Sequence, residues 1–415
     1  MTHKKKLTRI AIIGAGFGGV YALKALHKQF HNNPSVKLTL INKTNYFLFT
    51  PLLHEAATGG IQADNIVEPL RKVFHCCNIN IIIDTVTKVS FETQTLHLDQ
   101  QRDIPYDYLI MAPGAKTNFF GTPGADTHAF TLKTLDDANT LRRRFIHIVE
   151  QAEHMKRSPE RTALLHIAII GGGATGVELA AEAAEFFFES MKRYYKKELL
   201  EDVTISLIQR GDRLLPMFDP RIQETALKEL KKKGVSVHLN SGVTNISKTH
   251  ISLDGEKTIN TSTAVWVAGI EANMLGFDTT VVQNNKGCIT VNSVLQMPTH
   301  PNVFVVGDMA FCEGNPQPAL GQIAVAQGEL AAKNIIALIK NHPLKELDIT
   351  LKGTLVSLGQ WYATGKIGPL FIRGRLAWWL WRTIYLMKLL SWRKRLLVVT
   401  DWTMHLLSPR DISDV

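Results

Sequence analysis

The feature that most constrains this chain is a glycine pattern that occurs twice. Residues 7–19 read LTRIAIIGAGFGG, an apolar run (Ile10 to Ile13) followed by Gly14, Gly16 and Gly19. The spacing predicts a buried strand, a tight G-x-G-x-x-G turn and a helix from Val20 to about Phe30. Gly14 permits the turn, Gly16 lets the backbone approach a pyrophosphate, and Gly19 lets helix pack closely on strand. Phosphates then face free N–H groups at the positive end of the helix. Residues 167–178, IAIIGGGATGVE, repeat the plan, with Ile167–Ile170 as strand and Gly171, Gly173 and Gly176 as turn. One such turn is a weak signal. Two imply two nucleotides on two domains, hence an α/β fold with two Rossmann-like dinucleotide-binding domains.

A chain of 415 residues has room for two or three such domains, and its net charge of +10 calls for an anionic partner: nucleic acid, nucleotide or lipid surface. Its four cysteines, Cys76, Cys77, Cys288 and Cys312, form no C-x-x-C, which argues against a zinc site or redox disulfide and for thiols in a reducing compartment. No metal is expected. The start, MTHKKKLTRI, leads directly into the first strand, so no signal or transit peptide is expected.

Dinucleotide folds carry an acid at the end of their second strand, where it binds ribose hydroxyls. Here Val36–Ile41 ends at Asn42 and Val203–Ile208 ends at Gln209-Arg210, an amide in both places. Residues 44–60, TNYFLFTPLLHEAATGG, read either as a buried connection or as a segment packed against a flat cofactor ring, with backbone amides near Thr50 facing it. NVFVVGDMA at 302–310 predicts a buried strand that delivers Asp308 to the ligand edge of a sheet, to bind a ribityl or ribose hydroxyl or to cap a helix. Residues 319–341 predict a helix rich in small residues, Ala324 among them, which either admit a ring or serve tight packing.

The last fifty residues differ in kind. Six of the seven tryptophans follow residue 360, and between Lys366 and Thr400 there are eight Lys or Arg and no Asp or Glu. No apolar run approaches the roughly 20 residues needed to span a bilayer. On one helix over 375–395, the basic rows Arg375, Arg382, Arg393 and Lys388, Arg395 flank a strip of Trp378, Trp381, Tyr385, Leu389 and Trp392. That strip is expected to lie in an anionic lipid interface, while Leu380, Ile384, Leu386, Met387 and Leu390 pack on the protein body. A dimer interface or an RNA-binding face is the competing reading.

With these motifs in place, the chain resembles the type II NADH:quinone oxidoreductases, within the two-dinucleotide-domain, glutathione-reductase-like flavoproteins. The resemblance spans the whole length. It rests on GAGFGG at 14–19, NYFLFTPLLHEAATGG at 45–60, LIMAPGAKTNFFGTPG at 109–124, LKTLDDANTLRRRF at 132–145, GGGATGVELAAE at 171–182, VVGDMA at 305–310, GQIAVAQGELAAKNI at 321–335 and the Trp- and Arg-rich tail.

The resemblance implies a single-subunit, non-proton-pumping enzyme that moves a hydride from NADH, with NADPH as a further donor, to FAD and two electrons on to a membrane quinone. Gly14, Gly16, Gly19 and Asp308 would hold FAD, with Asn42, Thr50 and Ala324 also against the cofactor. Gly171, Gly173, Gly176 and Gln209 would hold the nicotinamide dinucleotide, Glu178 would lie near the reacting rings, and Gln322 beside the quinone. The family's quinone helix reads A-Q-x-A-x-Q-Q-G, whereas this chain reads GQIAVAQG, keeping Gln322 and Gln327 but placing Ala326 where a glutamine is expected. The domains implied are 1–118 and 286–360 for FAD, 119–285 for NAD(P)H, and 361–415 as a membrane-anchoring helical region. A homodimer, peripheral on the cytoplasmic face of the membrane and binding no nucleic acid, completes the expectation. Rival readings are a sulfide:quinone oxidoreductase on the same fold and a non-catalytic flavoprotein that senses redox state or binds RNA.

Overall fold

The computed structural model describes residues 7–75, 78–351 and 353–413, so Cys76, Cys77 and the first six residues lie outside the described part. The chain forms two compact units. The first comprises Met1–Phe47, Glu68–Lys116 and Ile270–Leu351; the second comprises Leu48–Val67, Thr117–Gly269 and Lys352–Val415.

The first unit is built on a six-stranded sheet in the order Gln296–Met297, His300–Val305, Tyr108–Met111, Thr8–Ile13, Val36–Asn42, Ile79–Ile83. All but the Gln296–Met297 edge run parallel. Such strands are covered on both faces, which is why they read as continuous Ile, Leu and Val. The helix Phe17–Phe30 packs on Gly321–Ile339 so closely that a Cβ on Gly328 would stand 2.1 Å from the Gly18 carbonyl oxygen. Small residues in the second helix therefore serve packing at Gly328, with Ala331 and Ala332 buried beside it.

The second unit repeats the plan with a parallel five-stranded sheet, Phe130–Thr131, Thr263–Trp266, His166–Ile170, Thr204–Ile208, Val235–His238. The division after Gly269 differs from the expected junction near 285. The cause is pairing: Gly276–Phe277 joins Lys88 and Val89, and Ile289–Val291 joins Ala310–Cys312, all in the first unit. The expected boundary at 361 is also displaced. Gly353–Ser357, Ala363–Ile367 and Leu370–Gly374 form one antiparallel sheet that such a cut would split.

The tail corrects the sequence reading most. It forms two helices, Arg375–Lys388 and Trp392–Leu407, rather than one over 375–395. The Ser391 side chain accepts from the Lys394 N–H and caps the second. Trp378, Trp381 and Leu389, expected at the lipid face, are buried, whereas Leu376, Trp379, Met387, Trp392, Leu396, Val399, Met404 and Leu407 are exposed. Arg382 turns inward, with its guanidinium carbon 3.9 Å from the Trp378 ring centroid and 4.5 Å from that of Trp402. Burying Trp378 and Trp381 removes two of the largest rings from water, although Trp379 and Trp392, of the same size, stay outside. Among the described residues no helix is long and apolar enough to cross a membrane.

The glycine turns separate structural from open positions. A Cβ on Gly19 would lie 1.9 Å from the Gly14 carbonyl oxygen, and one on Gly176 would lie 1.9 Å from that of Gly171, whereas Gly16 and Gly173 have no such neighbour within 4 Å. We therefore expect Gly19→Ala to lower stability by about 1–3 kcal/mol through overpacking, and Gly16→Ala to leave the unfolding midpoint of the apoprotein unchanged while weakening nucleotide binding. Paired thermal melts and cofactor titrations check this; equal destabilisation by both variants would contradict it.

Candidate functional site

In the first unit the turn after Thr8–Ile13 is set by Gly14 at φ +92°. The Asn42 carbonyl Oδ1 accepts from the Ala15 N–H at 2.9 Å, while its amide nitrogen donates to the Thr44 backbone oxygen at 2.9 Å. The strand-end amide thus braces its own glycine turn. On the neighbouring strand end, Gly307 at φ +73° turns the chain into Asp308, and its N–H donates to Gln327 Oε1 at 2.7 Å. Gln327 is buried, so this glutamine acts as a brace for the Asp308 turn. Gly18 brings the turn helix to this region, since its Cβ position lies 3.0 Å from Val306 Cγ2 and 3.5 Å from the Ala324 oxygen. Gln322 sits in the first turn of the same helix as Ala324.

The second unit contains the matching turn. Gly171 stands at φ +119°, and the Gly172 N–H donates to Gln209 Oε1 at 2.9 Å. Asn42 and Gln209 therefore make the same bond to the residue between the first two glycines. Arg210 is exposed, and Arg213 forks onto Asp212 at 2.9 and 2.7 Å. Thr50 opens a short 3-10 turn, Thr50–Leu52, and is exposed. In both units the middle glycine faces space that a side chain would fill, so the residues fit a dinucleotide at each turn.

The helix Ala174–Glu185 that follows the second turn carries Glu178, Glu182 and Glu185 along one row. Carboxylates taken from water require partners. Glu178 Oε1 accepts from the Ser357 N–H at 3.1 Å, and its Oε2 lies 3.8 Å from His54 Nδ1. Burial pushes the Glu178 carboxyl up to about 8 against the backbone bond, helped by the charges of Glu55 and Glu182. Burial also holds His54 down to about 4. At neutral pH this contact joins a protonated acid to a neutral imidazole, and it is no ion pair.

Glu182 behaves oppositely. Burial alone would raise it, but the Arg410 guanidinium, 2.6 Å away, with further help from His54 and Arg382, holds it below the usual range. The same guanidinium lies 3.3 Å from Glu185 Oε2 and donates to Thr58 Oγ1 at 2.9 Å. Glu185 Oε1 also accepts from Lys233 Nζ at 2.6 Å and the Gln360 N–H at 2.5 Å. Glu55 accepts from Trp402 Nε1 at 2.6 Å and is pushed up to about 7 by burial, partly countered by Arg382.

Of this cluster only Glu178 was picked out from sequence. The i, i+4, i+7 spacing of acids in GVELAAEAAE, and His54-Glu55 inside an apolar run, were signals available in the chain. Nothing around Arg410 marks it. The described cysteines, Cys288 and Cys312, are free, and Cys288 Sγ donates to the Asp308 backbone oxygen at 3.4 Å.

Comparison with known proteins agrees with this architecture. The family model for pyridine nucleotide-disulphide oxidoreductases matches residues 8–328, and that for the NDH2 C-terminal domain matches residues 351–411. A type II NADH:quinone oxidoreductase of Mycobacterium tuberculosis is 32% identical, over 97% of this chain and 89% of its own length. Another, from Haemophilus influenzae, is 30% identical over 92% of this chain and 93% of its own. The structure of NDH2 from Plasmodium falciparum in complex with NADH superposes with a TM-score of 0.91 at 23% identity, covering 99% of this chain and all of that one. The chain thus belongs to the pyridine nucleotide-disulphide oxidoreductases and, within them, to the type II NADH:quinone oxidoreductases.

Proposed function

We propose that this protein oxidises NADH and reduces a membrane quinone, with FAD held by the first unit and the nicotinamide dinucleotide by the second. The observation that carries the reading is the paired glycine turns, alike down to the amide brace, each with an open middle glycine. Gly14, Gly16, Gly19, Asn42, Asp308 and Ala324 would hold FAD, with Thr50 also against it; Gly171, Gly173, Gly176 and Gln209 would hold NADH. FAD, when bound, supplies the hydride acceptor and two-electron donor.

The chain's own residues bind, orient and manage protons. NADH delivers a hydride, whereas a quinone takes two electrons and two protons, so one proton comes from the medium. Glu178 is protonated at neutral pH and suits that transfer, and Gln322 would hydrogen-bond the quinone oxygen. The test is steady-state turnover with NADH and a short-chain quinone from pH 6 to 10. We expect activity to fall above about pH 8 as Glu178 loses its proton, and Glu178→Gln to slow quinone reduction on the order of 10²-fold while flavin reduction by NADH persists. No quinone turnover at any pH would end this reading.

Nucleotide choice follows from Gln209. A carboxylate there would repel the 2′-phosphate of NADPH; an amide does not, and the neighbouring Arg210 offers a guanidinium fork. NADPH is thus a second donor. Gln209→Glu keeps an acceptor for the Gly172 N–H and adds one charge, so it should lower NADPH efficiency relative to NADH roughly ten-fold, on the order of 1–2 kcal/mol. The ratio of specificity constants at fixed salt measures it, and an unchanged ratio removes position 209 from the selection.

The reading includes a homodimer lying peripherally on the cytoplasmic face of the membrane. Its anionic surface would meet exposed Trp379, Trp392 and Leu396 and the basic residues Arg375 and Arg393. Truncating the tail would expose buried Trp378 and Trp381, so surface substitutions test this better. The triple variant Trp379→Gln, Trp392→Gln, Leu396→Gln should lose at least ten-fold in partitioning to anionic vesicles, each group contributing on the order of 1 kcal/mol. Undiminished binding would place the contact elsewhere.

A further inference from the structure

Arg410 stands five residues from the end of the chain, yet it is 8% exposed. Its guanidinium reaches Glu182, Glu185 and Thr58, on two segments more than 200 residues earlier. A solvent-accessible cavity of about 1150 Å³, lined by Glu185, Lys233, Trp361, Arg375, His405 and others, leads to Arg410. The terminal segment is therefore fixed by one buried cation to the row that begins with Glu178.

We propose that Arg410 is a positioning residue for quinone reduction: its guanidinium seats the C-terminal segment on the acid row and holds Glu182 as a fixed anion one turn from Glu178. The inference rests on the role proposed for Glu178. A buried carboxylate that loses the cation hydrogen-bonded to it is driven toward its protonated form, and the Arg382 charge that also favours ionised Glu182 ranks behind that of Arg410. With Glu182 neutral, Glu178 loses an anionic neighbour and gives up its own proton at lower pH. Other groups facing Glu178 do not replace that charge. His54 is neutral, Glu55, whose own charge also raises Glu178, loses the influence of the same cation when Arg410 is removed, Ser357 offers a backbone N–H, and burial keeps the Tyr385 phenol neutral. Arg382 lies over the Trp378 and Trp402 rings, and burial lowers His405. On the row itself, Glu185 retains Lys233 when Arg410 is lost.

The test is stopped-flow reoxidation of the NADH-reduced holoprotein by a short-chain quinone across pH 6–10, in wild type, Arg410→Ala, Glu182→Gln and the double variant. Arg410→Ala should move the alkaline limb down by on the order of one pH unit. Glu182→Gln, which removes the anion and leaves the guanidinium, should do the same, and the double variant should add nothing further. Reduction by NADH should be unchanged. Because the cavity opens beside position 410, millimolar guanidinium should return the limb of Arg410→Ala toward wild type. The infrared band of the protonated Glu178 carboxyl, assigned with Glu178→Gln, should titrate in step. A uniformly scaled profile with the limb in place, in either single variant, would reduce Arg410 to a structural tie and overturn the proposal. A wild type that quinone cannot reoxidise would instead sink the functional reading, and the proposal with it.

Discussion

Three carboxylates on one helix cannot be taken out of water without compensation, and much of the second unit is arranged around supplying it. Glu185 draws Lys233, the Gln360 N–H and Arg410; Glu182 draws Arg410; Glu178 receives the Ser357 N–H and faces a neutral His54 at 3.8 Å. Removing one partner from such a buried group typically costs about 3–5 kcal/mol. The segments that reach the row from the C-terminal part of the chain are therefore held by electrostatics as well as by the burial of Trp378, Trp381 and Trp402. Unequal compensation gives unequal acids. The nearby guanidinium favours the ionised form of Glu182, while Glu178, met by neutral groups, is pushed up by burial and keeps its proton near neutral pH. In the proposed function, it is the lack of a cation that would let Glu178 carry a proton.

The glycine turns show the opposite economy, in which the first unit's logic is entirely local. Gly14 supplies a left-handed φ, Gly19 a contact too close for a side chain, and Gly16 open space. Those three demands are visible in the spacing, and so were the strands on either side. The amide brace was not. Asn42 and Gln209 looked like weakened ribose ligands, and only the fold shows each accepting an N–H from its own turn. Gln327 similarly proves to brace Gly307.

The tail was legible in composition and misleading in direction. Its periodicity marks an amphipathic segment correctly, but both faces carry aromatic and basic residues, so the pattern does not say which face is inside. What the pattern lacks lies far away in the chain: buried Glu55 and Glu182 favour a charged Arg382 on the inner face, beside buried Trp378 and Trp381. The acid row poses the same difficulty. Acids at i, i+4 and i+7 in an alanine-rich helix usually mark a solvated face, and Arg410, 228 residues beyond Glu182, reverses that reading.

The claim on which this account turns is that neighbouring acids one turn apart hold different protonation states at neutral pH. Neutron diffraction from a deuterium-exchanged crystal near pH 7 observes this directly. The account predicts a deuteron on a Glu178 carboxyl oxygen, none on Glu182, and a fully deuterated Arg410 guanidinium between Glu182 and Glu185. A bare Glu178, or a deuteron on Glu182, would contradict it.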